Sequence, residues 1–285
     1  MRPLVGVVLV VRNCASTVGL AVRSILAQSY GCWEMLIAND ASSDGTAKVI
    51  ESFRDERIRH FEYTESKGLA ARLNELIDAS RGKYLARMDG DDFAFPERLA
   101  KQVSFLEAHP EVDLVGCGTI NFEQEGRIVG KSRVVTGHKE ICARPWRGFP
   151  LYHPTWTGKT DWFRKYRYDS ALLRSQDYEL LLRACRTSRF ACLEEPLLGY
   201  RVEQLTLGRQ FRSRNNACKA LLRHALRGHD IRCLQGVAEH GLKLLLDAFA
   251  IGSGLRYQVL RHRALKITEA DRAAFNAALA ALQSS

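Results

Sequence analysis

Short apolar runs alternate with amphipathic stretches along the first 116 residues. Val5–Val11 consists almost entirely of Val and Leu, which is typical of a strand buried on both faces of a parallel sheet. After it, apolar residues lie four, seven and eight positions beyond Val18, the spacing of an amphipathic helix. The same patterns predict further strands over Trp33–Ala38, Ile58–Tyr63, Lys83–Met88 and Val112–Cys117, and helices over Thr46–Phe53, Leu69–Ile77 and 96–106. This alternation predicts an α/β fold with a mostly parallel sheet flanked by helices.

The pattern changes twice in the second half of the chain. Residues 117–208 are less regular, and Ser175 is the predicted N-cap of a helix there. From Arg209 onward every segment has helical periodicity, and Thr268 with Asp271 forms a capping-box-like start for the last helix. One helical face is apolar: Ile231, Leu234, Ala238, Leu242, Leu245 and Phe249. We therefore expect an α/β domain over 1–208, made of halves 1–116 and 117–208, and a helical extension over 209–285.

Composition narrows the class of protein. Of the 285 residues, 46% are hydrophobic and 26% are charged, which is typical of globular proteins and argues against disorder. No apolar run approaches the roughly 20 residues that cross a bilayer. The first residues lack a signal-peptide cleavage site, and the eight cysteines form no C-x-x-C pair. These features predict a cytoplasmic protein with reduced cysteines.

The net charge of +10 is concentrated in the helical extension. Residues 209–285 contain 13 Lys and Arg against five Asp and Glu, whereas residues 1–208 contain 29 against 27. A near-neutral body with a basic tail indicates an anionic partner, such as a membrane face, a nucleic acid or a phosphorylated substrate. The alternative is a basic helical face that is merely solvated.

Aspartates follow several of the predicted strands. Asp40 follows the second strand, and Asp89, Asp91 and Asp92 follow the fourth. Ligands of parallel α/β sheets bind beyond the carboxyl ends of the strands. Packed carboxylates raise one another's pKa unless a cation lies between them, and hard oxygen ligands suit Mg²⁺ or Mn²⁺ together with substrate phosphates. The alternative is an acidic turn that caps the helix beginning near Pro96.

Several ordered stretches of the sequence resemble one enzyme family. They are VGVVLVVRN (5–13), SILAQSY (24–30), EMLIANDASSDGT (34–46), GLAARLN (68–74), GKYLARMDGDDFAFPERL (82–99), KQVSFLEAHPEVDLVG (101–116), HPTWTGKTDWFRKYRY (153–168), QD (176–177) and GYR (199–201). The set resembles the inverting family 2 glycosyltransferases, and in its middle motifs the bacterial enzymes of O-antigen and exopolysaccharide synthesis. The resemblance covers about 3–206 and implies a GT-A fold, which is Rossmann-related. The extension is not covered.

The resemblance implies roles for four aspartates. Asp40 matches the residue that hydrogen-bonds the base of the donor, usually uracil. Asp89 and Asp91 match the DxD pair: the first contacts the ribose or a metal-bound water, and the second coordinates Mn²⁺ or Mg²⁺ at the diphosphate. Asp177 matches the catalytic base, with Gln176 where the family commonly has Glu. An aspartate in the first turn of a helix is also favoured by the helix dipole, which is the structural alternative for Asp177.

Four further residues are weaker candidates. Arg72 and Arg201 are predicted to contact the donor diphosphate, although exposed arginines are common. His153 and Trp156 are predicted to line the acceptor site, although packed loop and core positions are equally compatible with these residues.

The predicted reaction moves a hexose from a UDP-linked donor to a hydroxyl of a glycan acceptor. A divalent cation neutralises the leaving diphosphate, one carboxylate takes the acceptor proton, and direct displacement converts an α-linked donor into a β-glycosidic bond. The resemblance implies an acceptor linked to undecaprenyl diphosphate. We therefore expect peripheral binding of the basic extension to the inner, anionic face of the cytoplasmic membrane.

Other functions fit the sequence less well. A sugar nucleotidyltransferase needs a Gly-rich basic loop after the first strand, and a Rossmann dehydrogenase needs G-x-G-x-x-G there; residues 10–19 supply neither. A non-catalytic nucleotide-sugar binder, or a nucleic-acid binder that uses the basic extension, would leave the ordered aspartates without a role. We therefore expect no nucleic acid partner.

Overall fold

The computed structural model describes residues 1–123, 126–202, 206–226, 228, 230–253 and 265–284. Within these residues nine strands form one sheet, in the order β3-β2-β1-β4-β8-β6-β9-β5, with β7 paired to β6. The strands are β1 (Val5–Val11), β2 (Trp33–Asp40), β3 (Ile58–Tyr63), β4 (Tyr84–Asp89), β5 (Phe93–Ala94), β6 (Leu114–Phe122), β7 (Ile128–Lys131), β8 (Thr157–Lys159) and β9 (Phe190–Arg201).

Helices pack on both faces of this sheet. Seven helices precede the predicted extension: α1 (Val18–Leu26), α2 (Thr46–Glu51), α3 (Leu69–Ala79), α4 (Arg98–Ala108), α5 (His138–Ile141), α6 (Thr160–Tyr166) and α7 (Gln176–Ala184). The described helices of the predicted extension are α8 (Leu207–Leu226), which begins two residues before the predicted boundary, α9 (Arg232–Gly252) and α10 (Glu269–Gln283). Single-turn 3₁₀ helices span Pro145–Arg147 and His153–Thr155. The predicted α/β fold with a mostly parallel sheet is confirmed.

Parallel pairing aligns the ends of the first strands. In the registers of β1 with β2 and with β4, Val11 lies opposite Asn39 and Val10 lies opposite Asp89. The carboxyl ends of β2 and β4 therefore flank the end of β1, which brings Asp40 and Asp89 to the same edge of the sheet. The apolar side chains of these strands are buried on both faces, as runs of Val and Leu predict.

The second half of the sheet is mixed. The short strand β8 inserts antiparallel between β4 and β6, while β6 and β9 run parallel. The two-residue strand β5 pairs antiparallel with β9, so that Phe93 lies opposite Gly199. A Cβ atom at Gly199 would lie 2.3 Å from the Phe93 ring, so the close contact requires glycine. This pairing anchors the turn that follows β4 to the other end of the sheet.

The last helix of the extension packs on the α/β domain. The ring of Phe275 is fully buried and lies 5.3 Å from that of Phe93 and 5.4 Å from that of Phe122, measured between centroids. Asp271 forms an ion pair with Lys131 at 2.9 Å, and it completes the predicted capping box with Thr268. Helix α10 is therefore part of the core beneath β5.

Helix α9 exposes an apolar face in the part of the chain that the structure describes. Leu245 and Phe249 are each 69% exposed, and the other large side chains of the predicted apolar stripe are exposed with them: Ile231, Leu234 and Leu242. The neighbouring Leu246 is exposed as well. The sequence left open whether this stripe packs on the α/β domain, and within the described residues its side chains are exposed instead. Arg256, Arg261 and Arg263, which we predict to contact membrane, lie outside the described residues. No helix in the described part of the chain has the length and apolarity of a membrane span.

Candidate active site

Three carboxylates converge in the turn after β4. Asp89, Asp91 and Asp92 each have an oxygen within 4.8 Å of the others. The turn lies against the end of β1, since a Cβ atom at Gly90 would lie 2.5 Å from a methyl group of Val11. The pairing of β5 with β9 holds the other side of the turn. The fold therefore brings together the acidic residues that the sequence singled out.

The electrostatics of this cluster fit a divalent cation. Asp92 is buried; its Oδ1 accepts the backbone N–H of Arg201 at 2.8 Å, while its Oδ2 has no hydrogen-bond partner among the described residues. Burial, together with the charge of Asp89, raises the pKa of Asp91 to about 6 and raises that of Asp92 well above its ordinary value. A hard cation would satisfy the unpaired oxygen and remove the repulsion. The donor set therefore fits Mn²⁺ or Mg²⁺.

Arg87 is a site residue that the sequence analysis missed. It lies two positions before Asp89 on β4, so both side chains are on one face of the strand. Its guanidinium is buried and bonds both oxygens of Asp89, one of them at 2.8 Å. The signal was present as a charged residue inside an otherwise apolar strand. Arg87 fixes the orientation of the first DxD carboxylate.

The carboxylate of Asp40 is hydrogen-bonded to four groups of the protein. Its buried carboxylate accepts four hydrogen bonds, from Ser66 Oγ at 2.7 Å, Arg72 Nε at 2.7 Å, and the backbone N–H groups of Lys67 and Gly68 at 2.9 Å. Burial would raise the pKa of Asp40, but these donors lower it to about 2. Gly68 has a φ of 84°, which favours glycine at the start of α3. In this structure Asp40 fixes the loop between β3 and α3, and its contact with a base stays a prediction.

Arg72 lies inside the protein rather than on the cleft surface. Its side chain is 1% exposed, pairs with Asp40 and with Glu75, and donates to the carbonyl of Glu65. The guanidinium also lies 3.3 Å from the centroid of the Tyr63 ring. All of these contacts hold the loop that Asp40 organises. Its predicted contact with the donor diphosphate stays a prediction.

Arg201 lies against the acidic turn. Its Nε donates to the carbonyl oxygen of Asp91 at 3.0 Å, and its backbone N–H binds Asp92. The guanidinium carbon lies 4.6 Å from the centroid of the Phe122 ring. Arg201 therefore supports the carboxylate turn, and its reach to a diphosphate stays a prediction.

Asp177 lies in the first turn of α7, as the sequence indicated. The residue before this helix, Ser175, has a left-handed backbone with a φ of 60°, which is uncommon outside glycine. The Ser175 hydroxyl does not cap the helix but donates to the carbonyl of Ser213 at 3.0 Å. Burial raises the pKa of Asp177, while the N–H of Tyr178 and the charge of Arg87 oppose the shift.

One cleft joins the two predicted catalytic centres. It has a volume of about 590 Å³, and both Asp89 and Asp177 line it together with Arg87 and Ser175. This volume lies within the ~300–1,000 Å³ range of small-molecule sites. Asp177, whose pKa is raised by burial, and Asp89, the first carboxylate of the acidic turn, therefore face the same space.

The two predicted acceptor residues have different positions. His153 lines the cleft, where its Nε2 lies 2.8 Å from the Tyr168 hydroxyl, and burial lowers its pKa well below the ordinary value. Trp156 is 0% exposed, and its ring packs edge-on against His153. Because the Trp156 ring has no accessible surface, it is a core residue and our prediction that it contacts an acceptor is wrong.

Comparison with known proteins identifies the family. The family model described as glycosyl transferase family 2 matches residues 6–174. This chain belongs to glycosyl transferase family 2. A relative named as a glycosyltransferase, EpsE of Bacillus subtilis, is 35% identical over 210 residues, which are 71% of each chain. The predicted family and enzyme class are confirmed, and Asp177 lies just beyond the residues that the family model matches.

Two other comparisons add detail to the family 2 assignment. WfaP of Escherichia coli, named as a UDP-Glc:alpha-D-GlcNAc-diphosphoundecaprenol beta-1,3-glucosyltransferase, is 28% identical over 134 residues, 47% of this chain and 50% of its own. The mannosyltransferase PcManGT of Pyrobaculum calidifontis, solved with GDP-Man and Mn²⁺, superposes with a TM-score of 0.60 over 100% of this chain and 83% of its own, at 18% identity. The likeness to PcManGT confirms the GT-A fold of this glycosyltransferase.

Proposed function

We propose that this family 2 glycosyltransferase moves a hexose from a UDP-linked donor to a hydroxyl of a glycan acceptor, with inversion, in the synthesis of a cell-surface polysaccharide. One observation carries the proposal: Asp89, which belongs to the metal-fitting carboxylate cluster, and Asp177 line a single cleft. The name of WfaP, with its UDP-glucose donor and lipid diphosphate acceptor, supports the choice of substrates.

The residues in and beside the cleft have different roles in the proposed reaction. Asp91, with Asp89 and Asp92, would hold a divalent cation, which when bound neutralises the diphosphate leaving group as a Lewis acid. Arg87 keeps Asp89 oriented toward the cleft. Asp177 accepts the proton of the acceptor hydroxyl as that hydroxyl attacks the anomeric carbon. Attack from the side opposite the leaving group inverts the anomeric centre and gives a β-linkage from an α-linked donor.

Residues around the carboxylates position the donor. Asp40 and Arg72 fix the loop that begins α3, and Leu69 of that helix lines the cleft. Arg201 supports the turn that contains Asp91. We assign Asp40, Asp89, Arg72 and Arg201 to the donor side of the cleft and His153 to the acceptor side.

The acceptor that we propose is linked to undecaprenyl diphosphate and is met at the inner face of the cytoplasmic membrane. The exposed apolar face of α9 supports this proposal, because such a face suits shallow insertion among lipids. The excess of Lys and Arg in 209–285 would add attraction to anionic headgroups. Membrane docking would thus present the cleft to a lipid-linked substrate.

A screen of nucleotide sugars tests the proposed reaction. We expect one of them to be hydrolysed or transferred only when Mn²⁺ or Mg²⁺ is present, with loss of activity in EDTA. Asp91→Asn should reduce that turnover at least about 100-fold and weaken Mn²⁺-dependent UDP binding, whereas the control Asp161→Asn, at a 94% exposed side chain, should not. EDTA-insensitive UDP binding of equal strength in wild type and Asp91→Asn, without turnover of any donor, would favour a non-catalytic binding protein.

A further inference from the structure

A separate pocket lies between helix α1 and helix α10. Its volume is about 310 Å³, and the described residues that line it come from the loop after β1, from α1, α2 and α10, and from the ends of β6 and β9. None of them lines the cleft that contains Asp89 and Asp177. The volume is at the lower end of the ~300–1,000 Å³ range of small-molecule sites. The pocket is therefore large enough for a ligand of its own.

Arg201 contributes one guanidinium group to this pocket. The side chain is half-buried; its Nε donates to the carbonyl oxygen of Asp91 at 3.0 Å, and its guanidinium carbon lies 4.6 Å from the centroid of the Phe122 ring. Within the described part of the chain, its Nη1 and Nη2 have no hydrogen-bond partner and the group has no ion pair. Two contacts therefore fix a guanidinium whose charge no carboxylate binds directly.

Arg23 contributes a second guanidinium group, from α1. It is also half-buried, and its Nε donates to the carbonyl oxygen of Leu282 at 2.6 Å, at the end of α10. Its Nη1 lies 3.4 Å from the position that a Cβ atom on Gly19 would occupy, one helical turn away. Arg23 likewise forms no ion pair with any residue that the structure describes. Its position is fixed while two of its nitrogens stay available to a ligand.

The lining of the pocket has positive charge without negative charge. Arg23 and Arg201 are its charged residues, and no Asp or Glu is among the described residues that line it. The carboxylate of Asp44 lies nearby, but it accepts the backbone N–H groups of Ala15 and Thr46 and does not line the pocket. Guanidinium groups form short, charge-assisted hydrogen bonds with phosphate oxygens, and groups that are already fixed lose little freedom on binding. The pocket therefore suits a phosphate group.

The remaining walls favour a ligand that is larger than inorganic phosphate. Leu20, Val49 and Leu279 add apolar surface, and Ser16 and Gln283 add a hydroxyl and an amide. Inorganic phosphate would leave this surface in contact with water, whereas an organic group joined to the phosphate would cover part of it, which is favourable. Hydroxyls of that group would find hydrogen-bonding partners in the same walls.

We infer that this pocket binds a small phosphate ester, with the phosphate group held by Arg23 and Arg201 and the organic group packed against the apolar walls. The inference does not rest on the proposed glycosyl transfer, because the pocket and the cleft share no lining residue. Because Arg201 is bonded to Asp91, the ester would lie beside the acidic turn. Part of the site belongs to α10, which lies beyond the residues matched by the family model.

Isothermal titration calorimetry of the full-length protein measures the binding. EDTA is present throughout, so that no cation occupies the acidic turn, and the ionic strength is held constant with NaCl. The probes are glycerol 3-phosphate, glucose 1-phosphate and glucose 6-phosphate, with inorganic phosphate, glycerol and glucose as references. We expect at least one ester to bind saturably and more tightly than inorganic phosphate, and glycerol and glucose not to bind. Absence of saturable binding by every ester, or no ester that binds more tightly than inorganic phosphate, would overturn the inference.

Two variants locate the bound ester. Arg23→Gln removes one guanidinium, and Gln283→Glu adds a carboxylate that competes with the phosphate for both. Each should weaken ester binding at least about tenfold, whereas the controls Arg272→Gln and Asn276→Glu, at exposed positions of α10 outside the pocket, should not.

Unchanged ester affinity in Arg23→Gln would refute the site, and if that variant does not fold, Gln283→Glu gives the same decision. Mn²⁺-dependent UDP binding should be retained in all four variants, because none of the changed residues lines the cleft. Loss of Mn²⁺-dependent UDP binding in wild type would instead refute the proposed function and leave the result for the ester unchanged.

Discussion

The carboxylate of Asp40 gives the sharpest prediction about stability. Asp40→Asn removes the charge, and it replaces one acceptor oxygen with an NH₂ group that faces hydrogen-bond donors. The wild-type oxygens accept from four groups, among them the buried guanidinium of Arg72. The asparagine can satisfy about half of these donors and leaves the charge of Arg72 with Glu75 alone. The loop between β3 and α3 should loosen.

The size of the effect follows from the pKa and from burial. Lowering the pKa from 3.8 to about 2 corresponds to about 2 kcal/mol of stabilisation by the ionised form. Removing one partner of a buried ion pair typically costs about 3–5 kcal/mol, since an unpaired charge stays behind. We therefore expect Asp40→Asn to lower the free energy of unfolding by about 3–5 kcal/mol. Because the folded pKa is depressed, the ionic contribution is complete above pH 3.8 and is lost as the pH falls toward about 2.

Denaturant unfolding followed by circular dichroism, repeated across that pH range, measures both quantities. The matched control is Asp78→Asn, because Asp78 pairs with Arg167 at 2.5 Å but the two side chains are 55% and 42% exposed. The control should cost at most about 1 kcal/mol. Two outcomes would refute the role of Asp40 in holding the loop between β3 and α3. One is a loss of less than about 1 kcal/mol in the free energy of unfolding of Asp40→Asn, and the other is a difference in that free energy from wild type that does not become smaller in acid.

Three further predictions concern the base, the extension and the membrane. Asp177→Asn should lower turnover by on the order of 10²- to 10⁴-fold and retain UDP binding. Because burial raises the pKa of Asp177, the initial rate of the wild type should fall with decreasing pH at a pH above the ordinary pKa of 3.8, and a fall only below pH 3.8 would contradict the role of Asp177 as the base. Phe275→Ala should lower the free energy of unfolding by about 3–5 kcal/mol in denaturant titration, against about 0.5 kcal/mol for the exposed Leu246→Ala; equal losses would exclude a core role for α10. The double variant Leu245→Glu/Phe249→Glu should lose co-sedimentation with anionic vesicles, which in wild type should weaken as salt is raised; wild type that ignores such vesicles at low salt would refute membrane docking.

The order of strands and helices could be predicted because buried parallel strands are continuous apolar runs. Ile58–Tyr63 agrees with the structure at both ends. β2 continues two residues past its prediction, to Asp40, since those polar residues are buried and still pair with β3. The strand predicted over Val112–Cys117 runs from Leu114 to Phe122. Where a strand ends in polar residues, the apolar pattern therefore does not show the last residue that pairs.

Features that depend on distant contacts could not be predicted from local sequence. Serine is a common N-cap residue, but the hydroxyl of Ser175 donates to the carbonyl of Ser213, 38 positions away. Trp156 has the chemistry of a sugar-stacking residue, yet the insertion of β8 between β4 and β6 buries it completely. The cluster of Asp89, Asp91 and Asp92 could be predicted because the three residues lie within four positions after one strand. The parallel register brings the end of β2, with Asp40, to the same edge of the sheet.

The extension contributes to the cleft that contains Asp177 and is also the candidate membrane contact. Phe275 of α10 packs on Phe93, which follows Asp92 directly in the chain, so this helix supports the acidic turn. Ser213 of α8 binds Ser175, which precedes the helix of Asp177. Cutting the chain after Gly208 would remove Phe275 and Ser213, and both contacts with them. Membrane binding and catalysis must therefore be separated by substitutions on the exposed face of α9, which touches neither.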